Sequence, residues 1–432
     1  MLQTLRNAWK IPDLRRKILY TILLLIVFRF GSVIPVPWIS KEALQTWLEG
    51  ANGSTLFDLL NTFSGGAFSQ ATIFAMSITP YINSSIIMQL LCVAIPALER
   101  LSKEGEEGRK KITAITRCLT VVLGAIQAFG LYVTLKNTGA VDTVAGVPGF
   151  MVAITIILSF TAGTAFLMWL GEQITGKGIG NGISMIIFAG IVSGIPNMII
   201  RSWKGFVLQG KWYVFALIII YSLLSILFVV LVNQAERRIP VQYAKRVVGR
   251  KMYGGQSSNI PIKVAMAGVI PIIFAMSIMT FPATLAQLFG KTEGVLVSIS
   301  NFLTTGAVYP ILYFLLIVGF TYFYTSITFN PIEVSNNIKN NNGMVPGLRP
   351  GRPTTEYIAK VLSRITFIGA LFLGIIAVLP IALTQIFSNT VGELSTLSLT
   401  GTSLLIVVGV ALETVKEIES QMLMRHYKGF LE

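Results

Sequence analysis

Long apolar runs separated by short polar connections dominate the chain. Ten of these runs approach the roughly 20 residues that a helix needs to cross a lipid bilayer. Because the runs are continuous and lack the period-two alternation of strands, the pattern argues against a barrel. It predicts an all-α, polytopic membrane protein with ten transmembrane helices, at about 18–37, 73–95, 113–134, 151–170, 182–200, 213–232, 262–285, 308–328, 361–387 and 401–415.

The segment 56–95 is too long for one span. It begins with the amphipathic stretch LFDLLNTF, breaks at Ser64-Gly65-Gly66, and continues as a second helix from about residue 73 with Pro80 inside it. A helix of about ten residues cannot cross a bilayer, and non-helical backbone at membrane depth requires protein or water beside it. The break predicts a re-entrant half-helix next to an external, water-filled vestibule, and the alternative is an external surface helix.

The spans divide the chain into two halves of five helices. Because five is odd, two structurally similar halves would be inverted relative to each other, although the sequence carries no convincing internal repeat. The predicted organisation is a cytoplasmic N-terminus (1–17), a first half (18–200), an external linker (201–212), a second half (213–415) and a cytoplasmic tail (416–432).

Composition and charge agree with a membrane protein. Hydrophobic residues make up 53% of the chain and charged residues 12%, which excludes intrinsic disorder and leaves too few charges to cover a soluble surface. The net charge of +15 is compatible with nucleic acid, anionic lipid or an acidic partner. Of the 34 Lys and Arg residues, 27 lie on one side of the predicted membrane and 6 on the other, which places both termini in the cytoplasm.

Two long cytoplasmic loops are candidate docking surfaces. Residues 233–261 contain β-forming residues flanked by arginine pairs, which predicts a protruding hairpin with its turn at Gly254-Gly255. Residues 330–357 are rich in Pro, Gly and Asn and are predicted to be irregular. The alternative role of both loops is a topology signal in contact with lipid headgroups.

The usual catalytic and cofactor motifs are missing. A single histidine, His426, argues against zinc sites and Ser-His-Asp catalysis, and Cys92 and Cys118 lie in or beside apolar segments as inert thiols. Residues 171–177 imitate a phosphate-binding loop, but Gly178 stands where that loop needs Ser or Thr. Together with Gly178, Gly180 and Gly182, we interpret this stretch as a tight cytoplasmic turn, and we expect no cofactor and no metal.

Charge inside the spans is almost absent. An ion-coupled transporter with inverted repeats, the main alternative class, needs carboxylates near the midplane, and an intramembrane enzyme needs paired catalytic groups. The centres of the ten spans hold essentially neither. Arg29, near the external end of the first span, is the one clear intramembrane charge, and we expect it to reach the interface or a carbonyl.

Two further patterns lie within the spans. Polar side chains in the second, third and seventh spans suit a seam that opens reversibly or, alternatively, permanent hydrogen bonding between helices. They include Asn83, Gln127, Ser277 and Thr280. Isoleucine pairs spaced four residues apart line one helix face in the second and fifth spans, where packing or lipid contact is the ordinary role. These pairs are Ile78 with Ile82 and Ile183 with Ile187.

Nine sequence runs spread over nearly the whole chain carry a family resemblance. They are VFRFGSVIPVP (27–37), FSGGAFSQATIFAMSITPYINSSIIMQLL (63–91), EGEEGRKKI (104–112), GTAFLMWLGEQIT (163–175), GIGNGIS (178–184), RRIPVQYAKR (237–246), MAGVIP (266–271), FNP (329–331) and VPGLRPG (345–351). Their order and spacing make coincidence untenable. The chain resembles the SecY family, the channel subunits of the bacterial Sec protein translocase.

The resemblance implies two inverted five-helix halves around an hourglass pore, and it assigns four groups of residues. The plug of the external funnel comprises Leu56, Phe57, Asp58, Leu59, Leu60, Asn61, Thr62, Phe63, Ser64, Gly65 and Gly66. The constriction ring comprises Ile78, Ile82, Ile183, Ile187, Ile273 and Ile406. The polar cluster of a lateral gate comprises Asn83, Gln127, Ser277 and Thr280. The docking surfaces for the motor or the ribosome contain Arg237, Arg238, Arg246, Arg250 and Arg349.

The resemblance also implies function and partners. A member of this family is a protein-conducting channel in the bacterial plasma membrane and not an enzyme. It passes unfolded, signal-bearing polypeptides across the membrane and releases apolar segments sideways into it. The expected partners are the membrane subunits SecE and SecG, the ATPase SecA, the translating ribosome and anionic lipids, with no direct contact to nucleic acid outside the ribosome.

Overall fold

The computed structural model describes residues 6, 8–50, 61, 64–142, 147–207, 210, 212–243, 246–248, 251–253, 257–288, 308–387 and 395–428, with the side chains of some of these left out. Its helices in the first half are α1 (Pro12–Gly31), α2 (Lys41–Gly50), α3 (Thr79–Ala94), α4 (Pro96–Lys103), α5 (Glu106–Asn137), α6 (Gly149–Lys177) and α7 (Gly182–Ser202), which continues as a π-helical turn (Trp203–Val207). In the second half they are α8 (Trp212–Gln234), α9 (Ile270–Leu288), α10 (Val308–Thr328), α11 (Pro331–Asn340), α12 (Arg352–Phe387) and α13 (Ser395–Lys428).

Each of the ten predicted spans overlaps one long helix. In the described part of the chain, six helices are long and apolar enough to cross a membrane, and a seventh is added if α3 and α4, bent by 103° at Ile95, count as one broken span. The last helix is much longer than predicted, because α13 continues through residue 428 of the predicted tail. The first span ends at Gly31 rather than residue 37.

Two predicted helix starts are wrong. The helix expected from residue 73 begins at Thr79, after turns over 64–78, and Pro80 lies in its first turn instead of its interior. Proline favours a first turn, because the amide hydrogen that it lacks has no partner there. The helix expected from residue 262 begins at Ile270, because the chain before it pairs as a β-strand.

Each half has its own apolar core. In the first half, buried side chains of α5 and α6 pack with residues 68–76, and a second cluster joins α1 and α6 around Phe74. In the second half, α9, α10 and α12 pack around Tyr313, with contributions from α8 and α13. The halves contact each other where α9 meets α3 and α5, and where α13 meets α7.

The described part of the loop 233–261 forms the predicted hairpin. Strands β1 (Glu236–Tyr243) and β4 (Ser257–Lys263) pair in antiparallel register, and the shorter strands β2 (Arg246–Val248) and β3 (Lys251–Tyr253) continue the same register. The last described pair is Val248 with Lys251, and Gly254-Gly255, where the turn is predicted, lie outside the described residues. The base of the hairpin packs against α11 and α12.

The loop 330–357 is more ordered than predicted. It contains the helix α11 and the strand β5 (Gly343–Met344), which adds to β1. The helix begins where Asn330 accepts a hydrogen bond from the Ile332 amide and Pro331 occupies the first turn, which are two strong helix-starting signals. The tight turn predicted for the glycine-rich stretch 171–182 is present but shorter than expected, since α6 stays helical to Lys177 and the non-helical chain is limited to 178–181.

Candidate functional site

An apolar cluster lies between the two halves. Its buried members are Ile187 and Ile191 from α7 and Ile406 and Val410 from α13, and Ile82 and Ile183 pack against them. Ile187 is 5% exposed and Ile406 is 1% exposed. Four of the six isoleucines assigned to the constriction ring therefore meet in one cluster built from α3, α7 and α13.

The other two ring candidates border this cluster. Ile78 is buried in the adjoining first-half cluster, against which Ile82 and Ile183 also pack. Ile273 is half-buried on α9, and its amide donates to the carbonyl of Val269, a residue that packs against the central cluster. Their place in a ring stays a prediction.

Sequence reasoning missed two buried members of the central cluster, Ile191 and Val410, and four residues that pack against it, Met185, Phe188, Val269 and Val407. Ile191 was detectable, because it extends the four-residue spacing of Ile183 and Ile187 by one helical turn. Val410 follows Ile406 by the same step. Val269 lies just before α9, where the sequence pattern predicts an unbroken span, so no periodicity singles it out.

The side chains predicted for the polar cluster lie on the three helices that meet where α9 contacts α3 and α5. Asn83 lies on α3, Gln127 is half-buried on α5, and Ser277 is half-buried on α9. The Oδ1 atom of Asn83 is buried and accepts no hydrogen bond from the described residues. Thr280 belongs to α9, but its side chain lies outside the described part of the structure. The structure thus brings the three helices together, and within its described part the Asn83 Oδ1 lacks a hydrogen-bond partner.

The predicted plug lies largely outside the described residues, which include only Asn61, Ser64, Gly65 and Gly66 from 56–66. Asn61 ties these residues to the chain that follows. Its carbonyl accepts from the Gly66 amide at 2.8 Å, and its Oδ1 accepts from the Ser69 amide at 3.1 Å. The Ser64 hydroxyl accepts from the Phe68 amide at 3.1 Å.

The predicted carbonyl partner of Arg29 is confirmed. Arg29 Nη1 donates to the carbonyl of Gly65 across 3.0 Å, which joins the end of α1 to the end of the predicted plug. Residue Phe74, nine positions further on, stacks on Phe28 and on Phe166 with ring centroids 6.0 and 6.1 Å apart. The non-helical stretch 64–78 is therefore fixed to α1 and α6.

The predicted docking arginines are exposed wherever they are described. Arg237 and Arg238 lie on β1, and Arg238 Nε pairs with Glu236 Oε1 at 2.7 Å. Arg349 is exposed after β5, and its carbonyl accepts from the Thr354 hydroxyl at 2.8 Å. The Arg246 side chain and the whole of Arg250 lie outside the described residues.

Comparison with known proteins gives full-length relatives. The chain is 48% identical over 442 residues to the protein translocase subunit SecY of Halalkalibacterium halodurans, with 100% of both chains covered. It is 45% identical over 441 residues to the protein translocase subunit SecY of Bacillus subtilis, again with 100% of both covered. The family model SecY matches residues 72–415.

The fold is similar to solved channel structures. One is described as a protein conducting channel and aligns with a TM-score of 0.65 at 19% identity, covering 94% of this chain and 92% of that one. Another is Sec61 in the canine ribosome–channel complex, with a TM-score of 0.61, 18% identity and the same coverage.

Two helical halves with an apolar cluster between them, set beside these relatives, define a membrane channel of the protein-conducting class. The chain belongs to the SecY family. Members of this family are translocation channels and not enzymes, and the bacterial relatives imply the plasma membrane as the location.

Proposed function

We propose that unfolded polypeptide crosses the membrane through the apolar cluster between the halves, and that apolar segments leave sideways between α3 and α9. The observation that carries this proposal is the convergence of isoleucines from α3, α7 and α13 at the contact between two separately packed halves. The coarser activity, conduction of protein by the channel, follows from the family.

Isoleucine suits a constriction that must pass any sequence. An apolar side chain offers no fixed hydrogen-bond pattern, so it discriminates little among the residues that slide past it. A narrow apolar constriction also loses its water, which impedes ions while the channel rests. We infer that Ile82, Ile183, Ile187 and Ile406 form this seal together with Ile78 and Ile273, and that residues 56–66 add a plug on its external side.

The energetics favour lateral opening by an apolar signal segment. Burying such a segment in lipid gains about 25 cal/mol per Å² of apolar surface. The interhelical hydrogen bonds of the seam contribute about 1 kcal/mol each, so separating a few of them costs a few kcal/mol. The unsatisfied Oδ1 of Asn83 lowers this cost further, because a buried acceptor without a partner destabilises the closed state.

We infer the partners and the orientation from charge and family. The hairpin 233–261 and the segment 330–357, with exposed Arg237, Arg238 and Arg349, are the surface for SecA or the translating ribosome. A ribosome-bound relative of similar fold supports the second of these partners. SecE and SecG complete the membrane complex, anionic lipids contact its cytoplasmic face, and both termini lie in the cytoplasm, as the excess of Lys and Arg on that side predicts.

Site-specific crosslinking tests the path. Cys92 and Cys118 are replaced by Ser, and Ile82→Cys is introduced in a channel reconstituted with SecE, SecG and SecA. A secretory chain with one cysteine in mid-sequence is then stalled in the channel in the presence of ATP. We expect a disulfide between the stalled chain and position 82 that does not form without ATP.

Ile26→Cys is the matched control, because Ile26 is exposed on the outer face of α1. It should not crosslink under the same conditions. Protease-protected translocation without a crosslink at position 82, or with equal crosslinking at position 26, would show that polypeptide takes another path.

A further inference from the structure

Arg349 lies in a short loop, residues 345–351, between β5 and α12. The side chain of Arg349 is exposed, but the start of the loop is not: Val345 is 4% exposed and packs in one cluster with Ile239 and Val241 of β1. Because β5 also pairs with β1, the loop and the base of the hairpin form one packed unit. The exposed arginine therefore has a fixed base.

Two buried hydroxyl groups hold the other end of the loop. Thr354 is 1% exposed in the first turn of α12, and its Oγ1 donates to the carbonyl of Arg349 at 2.8 Å. Ser335 is 1% exposed on α11, and its Oγ donates to the carbonyl of Gly351 at 3.1 Å. A buried hydroxyl that loses its partner pays a desolvation penalty, so both bonds resist movement of the backbone around Arg349.

The two bonds differ in what they control. The Gly351 carbonyl also accepts from the Thr355 amide at 3.1 Å, so it keeps a partner without the Ser335 hydroxyl. The Thr354 bond ends on the carbonyl of Arg349 itself, and rotation of that carbonyl changes the direction in which the arginine side chain leaves the backbone. Direction matters here, because a guanidinium binds a carboxylate or phosphate through two parallel hydrogen bonds.

We propose that Thr354 is a positioning residue for docking, and that it acts by directing Arg349 towards an anionic group of the docked partner. This inference rests on the proposed function, because it takes Arg349 to be part of the surface for SecA. Thr354 acts through Arg349, since its own side chain is buried beneath that surface. The competing role is stabilisation of the start of α12 alone.

Binding of SecA to the channel, reconstituted in vesicles with SecE and SecG, tests this role. We expect Arg349→Ala to lower the affinity by about tenfold, which corresponds to about 1.4 kcal/mol. Thr354→Val removes the hydroxyl at nearly the same size and should lower the affinity by about fivefold. Thr354→Ser keeps the donor and should restore the affinity to within about twofold of wild type.

Thr355→Val is the matched control, because it makes the same chemical change one residue further along α12. The Thr355 hydroxyl donates at 3.3 Å to the Gly351 carbonyl, which already accepts from the Thr355 amide and from Ser335. Its loss should therefore leave the affinity for SecA within about twofold of wild type. Equal losses of affinity in Thr354→Val and Thr355→Val would overturn the positioning role.

A double-mutant cycle separates positioning from stability. If Thr354 acts through Arg349, Thr354→Val should lower the affinity by less than about twofold in a channel that already carries Arg349→Ala. A Thr354 that stabilises the start of α12 and does nothing else would cause the same loss of affinity with and without the arginine. That result would overturn the inference.

A spin label measures the order of the loop without any partner. The nitroxide is attached to Arg349→Cys in a channel whose two native cysteines are Ser. We expect Thr354→Val to increase the mobility of the label, because the carbonyl of residue 349 loses its buried donor, and Thr355→Val to leave the mobility unchanged. Unchanged mobility in Thr354→Val would contradict the proposal.

The outcomes distinguish this inference from the proposed function. If Arg349→Ala lowers the affinity for SecA but Thr354→Val changes neither the affinity nor the mobility of the label, the docking surface stands and the positioning role alone is wrong. If Arg349→Ala binds SecA as wild type does, Arg349 is not part of that surface, and the docking role of Thr354 is wrong with it.

Discussion

The two contacts between the halves are built differently. At the back, α7 and α13 share the apolar cluster of Ile187, Ile191, Ile406 and Val410, whose side chains are almost fully buried. At the front, α9 meets α3 and α5, the helices on which the predicted polar residues lie, and the Oδ1 of Asn83 has no hydrogen-bond partner among the described residues. The apolar cluster that contains most of the buried residues of α9 joins it to α8, α10, α12 and α13 of its own half.

This difference indicates which contact opens. Close apolar packing loses dispersion contacts as soon as two helices separate, and nothing in lipid replaces their fit. A seam with a poorly satisfied polar atom starts from a weaker closed state, and its polar groups gain partners when water or a passing segment arrives. We therefore expect the front contact to part first, as the gate, while the apolar cluster at the back contact stays packed as a seal until a polypeptide enters it, and three substitutions test that division.

The largest effect is expected at the back contact. Ile406→Ala removes a side chain that is 1% exposed and leaves a cavity between α7 and α13. We expect it to lower the free energy of unfolding by about 2 kcal/mol or more, measured by denaturant unfolding in detergent, and to raise the resting ion leak.

Ile375→Ala is its control, because Ile375 is an exposed isoleucine on α12 that makes the same volume change without a cavity. The control should stay within about 0.5 kcal/mol of wild type. If both variants lose the same free energy of unfolding, packing at the back contact contributes no more than an exposed isoleucine does. The proposed difference between the back and front contacts would then be wrong.

At the front, a smaller and opposite change is expected. Asn83→Leu removes the unpaired Oδ1 and supplies an apolar side chain, so the closed seam should gain about 1–2 kcal/mol. The gate would then admit only more apolar signal sequences, which export of a signal series with graded leucine content measures.

Gln89→Leu is the control on the same helix, since Gln89 is exposed and its amide donates only a 3.5 Å bond to Ser85. A lower hydrophobicity threshold in Asn83→Leu would reverse the assigned role of this atom. An identical shift of the hydrophobicity threshold in Gln89→Leu would show that the effect comes from the general apolarity of α3 and not from the Asn83 Oδ1.

How much of the fold and of the candidate site the sequence predicts depends on the type of interaction. The helices are predicted well, because hydropathy is a local property. The i, i+4 isoleucine pairs also indicate correctly which face of α7 is buried. The family resemblance adds Ile406, which no spacing rule indicates. Local signals were also misjudged where they compete: Pro80 starts α3 instead of interrupting it, and Asn330 caps a helix inside a segment predicted to be irregular.

Contacts distant in sequence are the part that cannot be predicted. Arg29 was expected to find some carbonyl, but its choice of Gly65 depends on how residues 64–78 fold back on α1. The register of β1 with β4 and of β2 with β3 joins residues up to 27 positions apart, and the Gly254-Gly255 pair does not reveal it. The asymmetry between the front and back contacts is likewise a property of the assembled halves.

The smallest expected effect concerns the end of the back contact that lies beside the start of α1. There Lys17 Nζ donates to Gln421 Oε1 at 3.1 Å, and three residues away Ile418, 4% exposed, packs with Leu14 and Ile179. If packing and not polar contact holds this side together, Gln421→Ala should change the unfolding free energy by about 0.5 kcal/mol or less, because a partly exposed bond exchanges with water.

Ile418→Ala is the paired variant, and it should cost about 2 kcal/mol by the same unfolding measurement. The ratio of the two losses is the quantity of interest, since both residues lie on one turn of α13 and contact α1. A loss from Gln421→Ala that matched the loss from Ile418→Ala would show that polar contacts also close the back of the channel. The lower stability of the closed front contact would then result from fewer hydrogen bonds and not from poorer packing.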